Sequence, residues 1–216
     1  LAQNTVRERD SISNPFVAKA GGKLLVQGNQ GVDIFALNHP GSGFASGGNM
    51  VLRSANTVGG DAHYWSGGSF RIEKLDGNLG DLYSPYDPII RSQGDVSFNS
   101  YIGNSLHILA GGRVDISDFI VITGKEAGED GIDFISEEVT LSDGEKISID
   151  GKAQPTLDIR AGVKQDVING FPEITGQNND DFFNADISNL SSNSDFSFTN
   201  SSNINSSNRA DIKVGT

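Results

Sequence analysis

The sequence predicts an all-β fold, and three observations lead to that prediction. The 216-residue chain contains 27 glycines and 6 prolines, a composition typical of many tight turns. Its apolar runs are short and alternate with polar residues, which is the two-residue period of strands rather than the 3.6-residue period of helices. Hydrophobic residues make up 36% of the chain, which is enough for a continuous core.

Five strands are predicted from one repeated pattern, in which two glycines, or Gln93 and Gly94, precede an alternating segment. The copies are GGKLLVQG from Gly21, GGNMVLRS from Gly47, GGSFRIEK from Gly67, QGDVSFNS from Gln93 and GGRVDISD from Gly111. Two positions in each copy are apolar and predicted to face a shared core: Leu24 and Val26, Met50 and Leu52, Phe70 and Ile72, Val96 and Phe98, Val114 and Ile116. The residues between them, such as Arg71, Ser97 and Asp115, are predicted to point outward because successive strand side chains face opposite sides.

The spacing of the copies indicates a solenoid. They begin at residues 21, 47, 67, 93 and 111, so the intervals are 26, 20, 26 and 18 residues, a period typical of solenoid coils. Further short strands fall within the intervals, from Gly31, Ser105 and Asp118. Two or three strands per interval describe one coil of a parallel β-helix, or β-solenoid. Glycine is expected at the corner before each strand because it tolerates a sharp turn, often with positive φ.

The predicted organisation has three parts. Residues 1–20 form an opening segment. Residues 21–163 form β-helix coils, with weaker strands at GIDFIS, EVTLS, EKISIDG and TLDIRAGV and with a loop excursion at 76–92, where Pro85 and Pro88 argue against a central strand. Residues 164–216, rich in Asn and Ser, are expected to continue the β-helix, because RADIKVGT echoes TLDIRAGV. We expect the whole to be part of a longer chain.

Composition argues against several classes of partner. The formal net charge is −12 and the chain has no cysteine. Scattered Lys and Arg residues and an acidic balance disfavour nucleic acid, and no apolar run is long enough for membrane insertion. The lack of cysteine excludes a disulfide scaffold, a thiolate zinc site and a cysteine nucleophile. No cofactor is expected.

Carboxylates are concentrated between residues 124 and 145, where Glu129, Asp130 and Asp133 are weak calcium candidates. Neither an EF-hand spacing nor a glycine-rich calcium repeat is present, so we expect a solvated acidic face and no metal site. A carbohydrate-active site would need carboxylates and a basic residue on neighbouring coils. Arg113 and Asp115 are the contributors considered for it.

Aromatic residues provide the candidate contact surface. His63, Tyr64 and Trp65 in AHYWSG, together with Tyr83 and Tyr86, are predicted to contact a sugar or a protein. The alternative is that AHYWSG is a hydrophobic plug over one coil corner. The remaining polar candidates are interpreted structurally: His39 and His107 lack a metal-ligand spacing, His107 is expected to face outward between Leu106 and Ile108, and Ser42 lies in a corner loop.

The segment GGSFRIEKLDGNLGDLYSPYDPIIRSQGDVSFNSYIGNSLHILAGGRVDI, followed by TLDIRAGV, FPEITG and RADIKVGT, resembles the repeat region of filamentous-haemagglutinin-like large exoproteins of the cyanobacterial type. The resemblance covers about residues 20–216. It implies a right-handed, single-stranded parallel β-helix that is exported by two-partner secretion and displayed or released at the outer cell surface. The amino-terminal secretion motif of that family has no close counterpart here, since Asn14-Pro15-Phe16 departs from it.

The sequence therefore favours a non-catalytic structural or adhesive segment, a rigid rod capable of building extracellular fibres. A carbohydrate-active β-helix enzyme, either a polysaccharide lyase or a hydrolase, and a calcium-stabilised coat component are the alternatives. The expected partners are further copies of the chain, through end-to-end stacking into filaments, and a surface polysaccharide or cell-surface protein.

Overall fold

The computed structural model of the chain describes residues 3–39, 42–125, 136–140, 144–151, 153–162 and 196–197. These ranges contain nineteen β-strands and no α-helix, which confirms the all-β prediction. It follows that none of them holds a helix suited to crossing a membrane. Every strand pairing in them is parallel except that of one hairpin.

Sheet 1 is built from the glycine-led strands. Its six parallel strands are, in spatial order, β3 (Leu24–Gly28), β6 (Met50–Ser54), β8 (Phe70–Glu73), β11 (Val96–Phe98), β14 (Val114–Ile116) and β19 (Phe196–Ser197). The Cα partners run Leu24 to Met50, Met50 to Phe70, Phe70 to Val96 and Val96 to Val114. These offsets are the intervals of the sequence alignment, so the predicted pairing of the five strands is confirmed.

Sheets 2 and 3 follow each sheet 1 strand in turn. Sheet 2 contains β1 (Thr5–Arg9), β4 (Gly31–Ala36), the first half of β7 (Val58–Ser66), β9 (Leu82–Ser84), β12 (Tyr101–Gly103) and β15 (Ile120–Ile122). Sheet 3 contains β2 (Val17–Ala20), β5 (Gly43–Ser46), the second half of β7, β10 (Ile89–Ser92), β13 (Leu106–Ala110) and β18 (Leu157–Arg160). Because β7 belongs to both, the two form one continuous 11-stranded sheet.

The three sheets share one apolar core. Side chains from all three lie in a single buried cluster, with Ile72 and Phe98 from sheet 1, Ile34 from sheet 2 and Ile108 from sheet 3. The predicted inward residues of sheet 1 are buried or, for Leu24, Val26 and Ile116, partly buried and packed against that cluster. The interleaved Arg71, Ser97 and Asp115 remain partly exposed. The predicted alternation is therefore confirmed.

A column of glycines joins sheet 3 to sheet 1, and it explains why glycine precedes each strand. The N–H of each member donates to the carbonyl of the member one coil before: Gly48 to Gly22 (3.1 Å), Gly68 to Gly48 (3.1 Å), Gly94 to Gly68 (2.9 Å), Gly112 to Gly94 (3.0 Å) and Gly162 to Gly112 (3.0 Å). Among the glycines of this column, only Gly162 has a positive φ, of 72°. The expectation of positive φ was thus wrong for the glycines before sheet 1. Backbones stack closely at this corner, and the space for a Cβ is missing there.

Polar side chains reinforce the glycine column on both sides. Ser66 and Ser92, fully buried at paired positions of sheet 3, donate through Oγ to the carbonyls of Gly48 (3.0 Å) and Gly68 (2.6 Å). On the other side, the Oδ1 of Asn49 accepts from the N–H of Ser69 (2.9 Å). Neighbouring strands of the stack thus satisfy one another's backbone hydrogen-bonding groups at this corner.

Replacing Gly68 by alanine is expected to destabilise the protein. A Cβ there would lie 2.2 Å from Asn49 Oδ1 and 2.9 Å from the Asn49 backbone nitrogen, so the coils must move apart, at a cost of about 1 to 3 kcal/mol. The matched control is Gly22→Ala at the equivalent position of the first coil, where a Cβ meets nothing within 4 Å. Urea unfolding of both variants measures the difference. Equal midpoints would contradict this account of the column.

The structure corrects the predicted domain limits. The segment 76–92 is not a loop excursion, because it contains β9, an interior strand of sheet 2, and β10, an interior strand of sheet 3. The two prolines lie in the connection between these strands. The opening segment 1–20 contains β1 and β2, which pair in parallel with β4 and β5.

After β15, two of the expected weaker strands, EVTLS and EKISIDG, do not join the parallel sheets, whereas TLDIRAGV does, as β18 (Leu157–Arg160). GIDFIS lies outside the described residues except for Ser136. β16 (Ser136–Thr140) and β17 (Lys146–Asp150) form an antiparallel hairpin instead, and β18 then returns to sheet 3. The predicted continuation 164–216 lies outside the described residues, except that β19 pairs in parallel with β14.

Candidate binding groove

A groove of about 730 Å³ lies on the outer side of sheet 2. Six successive strands of that sheet, here called rungs, contribute to it. β1 contributes Thr5, and the inward Val32 and Leu82 also line the groove. The other lining residues occupy three positions around the inward residue of each later strand (Val32, Val58, Leu82, Tyr101 and Ile120). The lining residues that follow the inward residue are Asp33, Gly59, Tyr83 and Ile102. Those that precede it by one are Gly31, Thr57, Asp81, Ser100 and Phe119, and those that precede it by two are Gln30, Asn56, Asn99 and Asp118. The groove therefore runs along the stacking direction of the strands.

One wall of the groove is polar and internally hydrogen-bonded. Asn56 Nδ2 donates to the carbonyl of Gln30 (2.6 Å), and Asp81 Oδ1 accepts from Asn99 Nδ2 (2.6 Å) and Ser100 Oγ (2.7 Å). Burial raises the pKa of Asp81, but the hydrogen bonds from Asn99 and Ser100 outweigh it and hold that pKa below its ordinary value. Asp81 is therefore an ionised acceptor near neutral pH, which does not suit it to act as a general acid.

The floor carries exposed apolar side chains. Tyr83 is 47% exposed, Phe119 43% and Ile102 38%. Tyr83 and Ile102 are Cα partners on neighbouring strands, and Phe119 stands one residue before the next strand. Aromatic and aliphatic surface thus lies beside the carboxylate and amide wall.

A cationic pair closes one end of the groove. Arg7 Nε and an amino group of Arg9 lie 3.1 Å and 2.7 Å from Asp33 Oδ2. Burial raises the pKa of Asp33, and the two guanidinium groups overcome this effect and lower the pKa. The Arg9 guanidinium also lies over the Phe35 ring, 5.5 Å from its centroid. Asp33 is thereby neutralised, whereas Asp118 is exposed further along the groove.

The structure separates the aromatic residues that the sequence grouped into one contact surface. Tyr64 lies in the core, 1% exposed, with its ring centroid 5.4 Å from that of Phe44 and 5.2 Å from that of Phe70. His63 and Trp65 face away from the core but are 7% and 6% exposed. The prediction that AHYWSG forms a contact patch is wrong, because this segment is the middle of a strand shared by two sheets. Of the predicted set, Tyr83 alone lines the groove.

Tyr86 covers a buried carboxyl group. Its ring meets Phe35 edge-on, with centroids 4.8 Å apart, and Phe35 is the Cα partner of Asp61. Asp61 is 2% exposed, and its Oδ1 accepts no hydrogen bond from the described residues. Burial raises the pKa of Asp61 to about 8, against the lowering effect of the Tyr86 N–H. Asp61 therefore holds its proton in the folded protein at neutral pH.

The other sequence candidates do not assemble into a site in the described residues. Asp115 lies in β14 of sheet 1, Arg113 directly precedes that strand, and neither lines the groove. The backbone N–H of Arg113 donates to Asp95 Oδ1 (2.8 Å), and Asp115 stands near Ser117. Glu129, Asp130 and Asp133 lie outside the described residues, and within them no three acidic, His or Cys side chains are placed to hold a metal ion.

His39, Ser42 and His107 have local structural surroundings. Ser42 is buried, and its Oγ donates to Asp10 Oδ2 (2.7 Å), while the backbone N–H of His39 donates to the same carboxylate oxygen (2.8 Å). His107 alternates with the inward Leu106 and Ile108, as expected, but it is fully buried, with Nδ1 3.6 Å from Asp158 Oδ2. His107 therefore faces away from the core cluster, as expected, without being exposed to solvent.

The sequence contains a signal for the groove that was missed. Asn or Asp stands two residues before the inward residue for four of the sheet 2 strands, at Asn4, Asn56, Asn99 and Asp118, and the last three of these line the groove. This signal becomes visible only when the strands are aligned in their true register. Because residues 76–92 were interpreted as a loop, Asp81 and Tyr83 were not aligned with the equivalent residues of the other strands.

Comparison with protein-family models, with curated proteins and with solved structures finds no match to this chain.

Proposed function

We propose that the chain is a non-catalytic structural and adhesive segment of a large exoprotein of the filamentous-haemagglutinin-like type. In this proposal the chain forms a right-handed, single-stranded parallel β-helix, reaches the outer surface by two-partner secretion and acts as a rigid rod. The observation that carries the proposal is the stacking of three parallel ladders around one core, with the same residue offsets in neighbouring sheets.

The offsets support the coil arrangement because sheets 1 and 3 shift by the same number of residues at each of four successive steps, 26, 20, 26 and 18. Sheets 1 and 3 both shift by 26 residues between the first two coils, from Leu24 to Met50 and from Val17 to Gly43. Sheet 2 does the same from Thr5 to Gly31. Coils that stack in this way bury a continuous core and resist bending, as expected of a rod that projects a surface.

The groove favours adhesion over catalysis. It presents hydrogen-bond acceptors and exposed aromatic rings, and its lining residues include no Lys, Arg or His. Its best-ordered carboxylate, Asp81, is occupied by Asn99 and Ser100. Hydrolysis or elimination at a glycosidic bond needs a carboxyl group or base free to exchange a proton.

Self-association is proposed through the ends of the stack. In the described part of the chain, β1, β2 and β3 each have a parallel neighbour on one side. Unpaired strand edges of this kind invite further strands, from the same polypeptide or from another copy stacked end to end. With a net charge of −12, contact between rods is expected to strengthen as salt screens their repulsion.

Surface labelling in the organism that makes the protein tests the proposed function. An antibody raised against this segment should label intact cells or recover the segment from the culture medium, and protease added to intact cells should remove the label. A cytosolic protein serves as the control for lysis. Labelling that appears only after the cells are broken would contradict surface display, whatever the chain binds.

A further inference from the structure

We infer that the groove on sheet 2 binds an extended, neutral polysaccharide that lies along the stacking direction of the strands. This inference deepens the proposed adhesive function and rests on it. Three observations carry it: the course of the groove, the chemistry of its two sides and its charge.

The course of the groove selects a linear ligand. Residues of six consecutive rungs, from Thr5 to Phe119, line it, so its length is roughly 24 Å at a rung spacing of about 4.8 Å. A straight channel with a repeated lining suits a polymer with a repeating unit better than a compact small molecule.

The chemistry of the two sides matches that of pyranose rings. Such a ring has an apolar face of C–H groups and an equatorial edge of hydroxyl groups. The apolar face of the ring is able to pack against the exposed side chains of Tyr83, Ile102 and Phe119. The hydroxyl groups are able to donate hydrogen bonds to the side-chain oxygens of Asn99, Asp81 and Asp118. Both hydrogen bonds to Asp81 are accepted by its Oδ1, so its Oδ2 is available to accept a hydrogen bond from a ligand hydroxyl without taking up the proton.

The charge of the groove excludes acidic polymers. Its charged lining residues are Asp33, Asp81 and Asp118, and only Asp33 is paired with arginines. Uronate or sulfate groups would meet Asp81 and Asp118 at close range, with repulsion that lowers affinity. A hydroxyl-rich polymer without charge makes the same hydrogen bonds without that penalty.

Affinity electrophoresis tests the inference with defined probes. Native gels containing hydroxyethyl cellulose, glucomannan or alginate compare the mobility of the whole chain, and the degree of polymerisation of each polymer is measured afterwards. We expect at least one of the two neutral polymers to retard the protein and alginate not to retard it. We also expect all three polymers to keep their length. Tyr83→Ala and Phe119→Ala should each weaken binding by about tenfold or more.

Leu75→Ala is the control, since Leu75 is 43% exposed and does not line the groove. Circular dichroism establishes that each variant is folded, and Tyr83→Phe, which keeps the ring, should retain most of the affinity. The inference fails if neither neutral polymer retards the protein, if alginate retards it more strongly, or if Leu75→Ala weakens binding as much as Tyr83→Ala. It also fails if a polymer is shortened, which would indicate an enzyme. Surface labelling is unaffected by any of these results, so failure of the groove and failure of the exoprotein proposal are distinguishable.

Discussion

Replacement of Phe98 by alanine is expected to lower the free energy of unfolding by about 3 to 5 kcal/mol. Phe98 is completely buried in sheet 1, and its Cα partner on the next rung is Ile116. Coils above and below fix the backbone, so the core is unable to collapse into the space that the ring leaves. Urea unfolding monitored by circular dichroism measures the change.

Phe119→Ala is the matched control for this prediction. It removes the same side chain from a position 43% exposed on the groove, where the expected loss of stability is within about 0.5 kcal/mol. If the two variants lose the same stability, Phe98 does not lie in a tightly packed core. Phe119→Ala thereby also establishes that a loss of polysaccharide binding in that variant is not a loss of folding.

The second large effect is a pH dependence that originates at Asp61. Its pKa is raised from 3.8 to about 8 in the folded protein by burial, so the folded state binds a proton that the unfolded state releases as the pH rises above 3.8. The stabilisation from this group is complete below about pH 4, falls by about 1.4 kcal/mol per pH unit as the pH rises and is lost near pH 8. Asp61→Asn keeps the shape of the neutral acid, and its amide does not ionise in this pH range.

The difference in unfolding free energy between Asp61→Asn and the natural chain is therefore expected to grow from pH 4 to pH 8, by up to about 5 kcal/mol. Comparing the two proteins at each pH cancels the contribution of carboxylates with lowered pKa values, such as Asp33 and Asp81, whose stabilisation is lost at acid pH instead. Parallel stability curves for the two proteins would mean that Asp61 is ionised in the folded state.

The strands of sheet 1 were predictable because their signal is local. A turn residue, a fixed number of steps and an alternating apolar pair recur in each copy, and the spacing between copies is the register itself. Val96 and Val114 were therefore placed on neighbouring strands from the sequence alone. The physical reason predicted for the glycines, a backbone conformation with positive φ, was wrong. Glycine is required because the backbone of the neighbouring strand connection leaves no space for a Cβ.

The other sheets were harder to predict because their strands are short and their corners vary. Pro85 and Pro88 do not disrupt a strand, since they occupy the turn between β9 and β10. The nine residues of β7 pass from one sheet to another without a turn, which buries Tyr64 although its neighbours suggest an exposed aromatic patch. The groove is lined by residues from six rungs, so its position is predictable only when the register of all six is known.

The constancy of one corner determines where the chain is able to change in length. Three residues separate the sheet 3 strand from the next sheet 1 strand at each described passage, as between Ala20 and Leu24 or between Ala110 and Val114. All variation in coil length therefore falls at the other two corners, up to the long connection between Ile122 and Leu157 that includes the antiparallel hairpin. Insertions and deletions at those corners leave the stacked glycines in register. The architecture is thus permissive to the gain of new loops during evolution, and the same corners are suitable for grafting peptides in an engineered display scaffold.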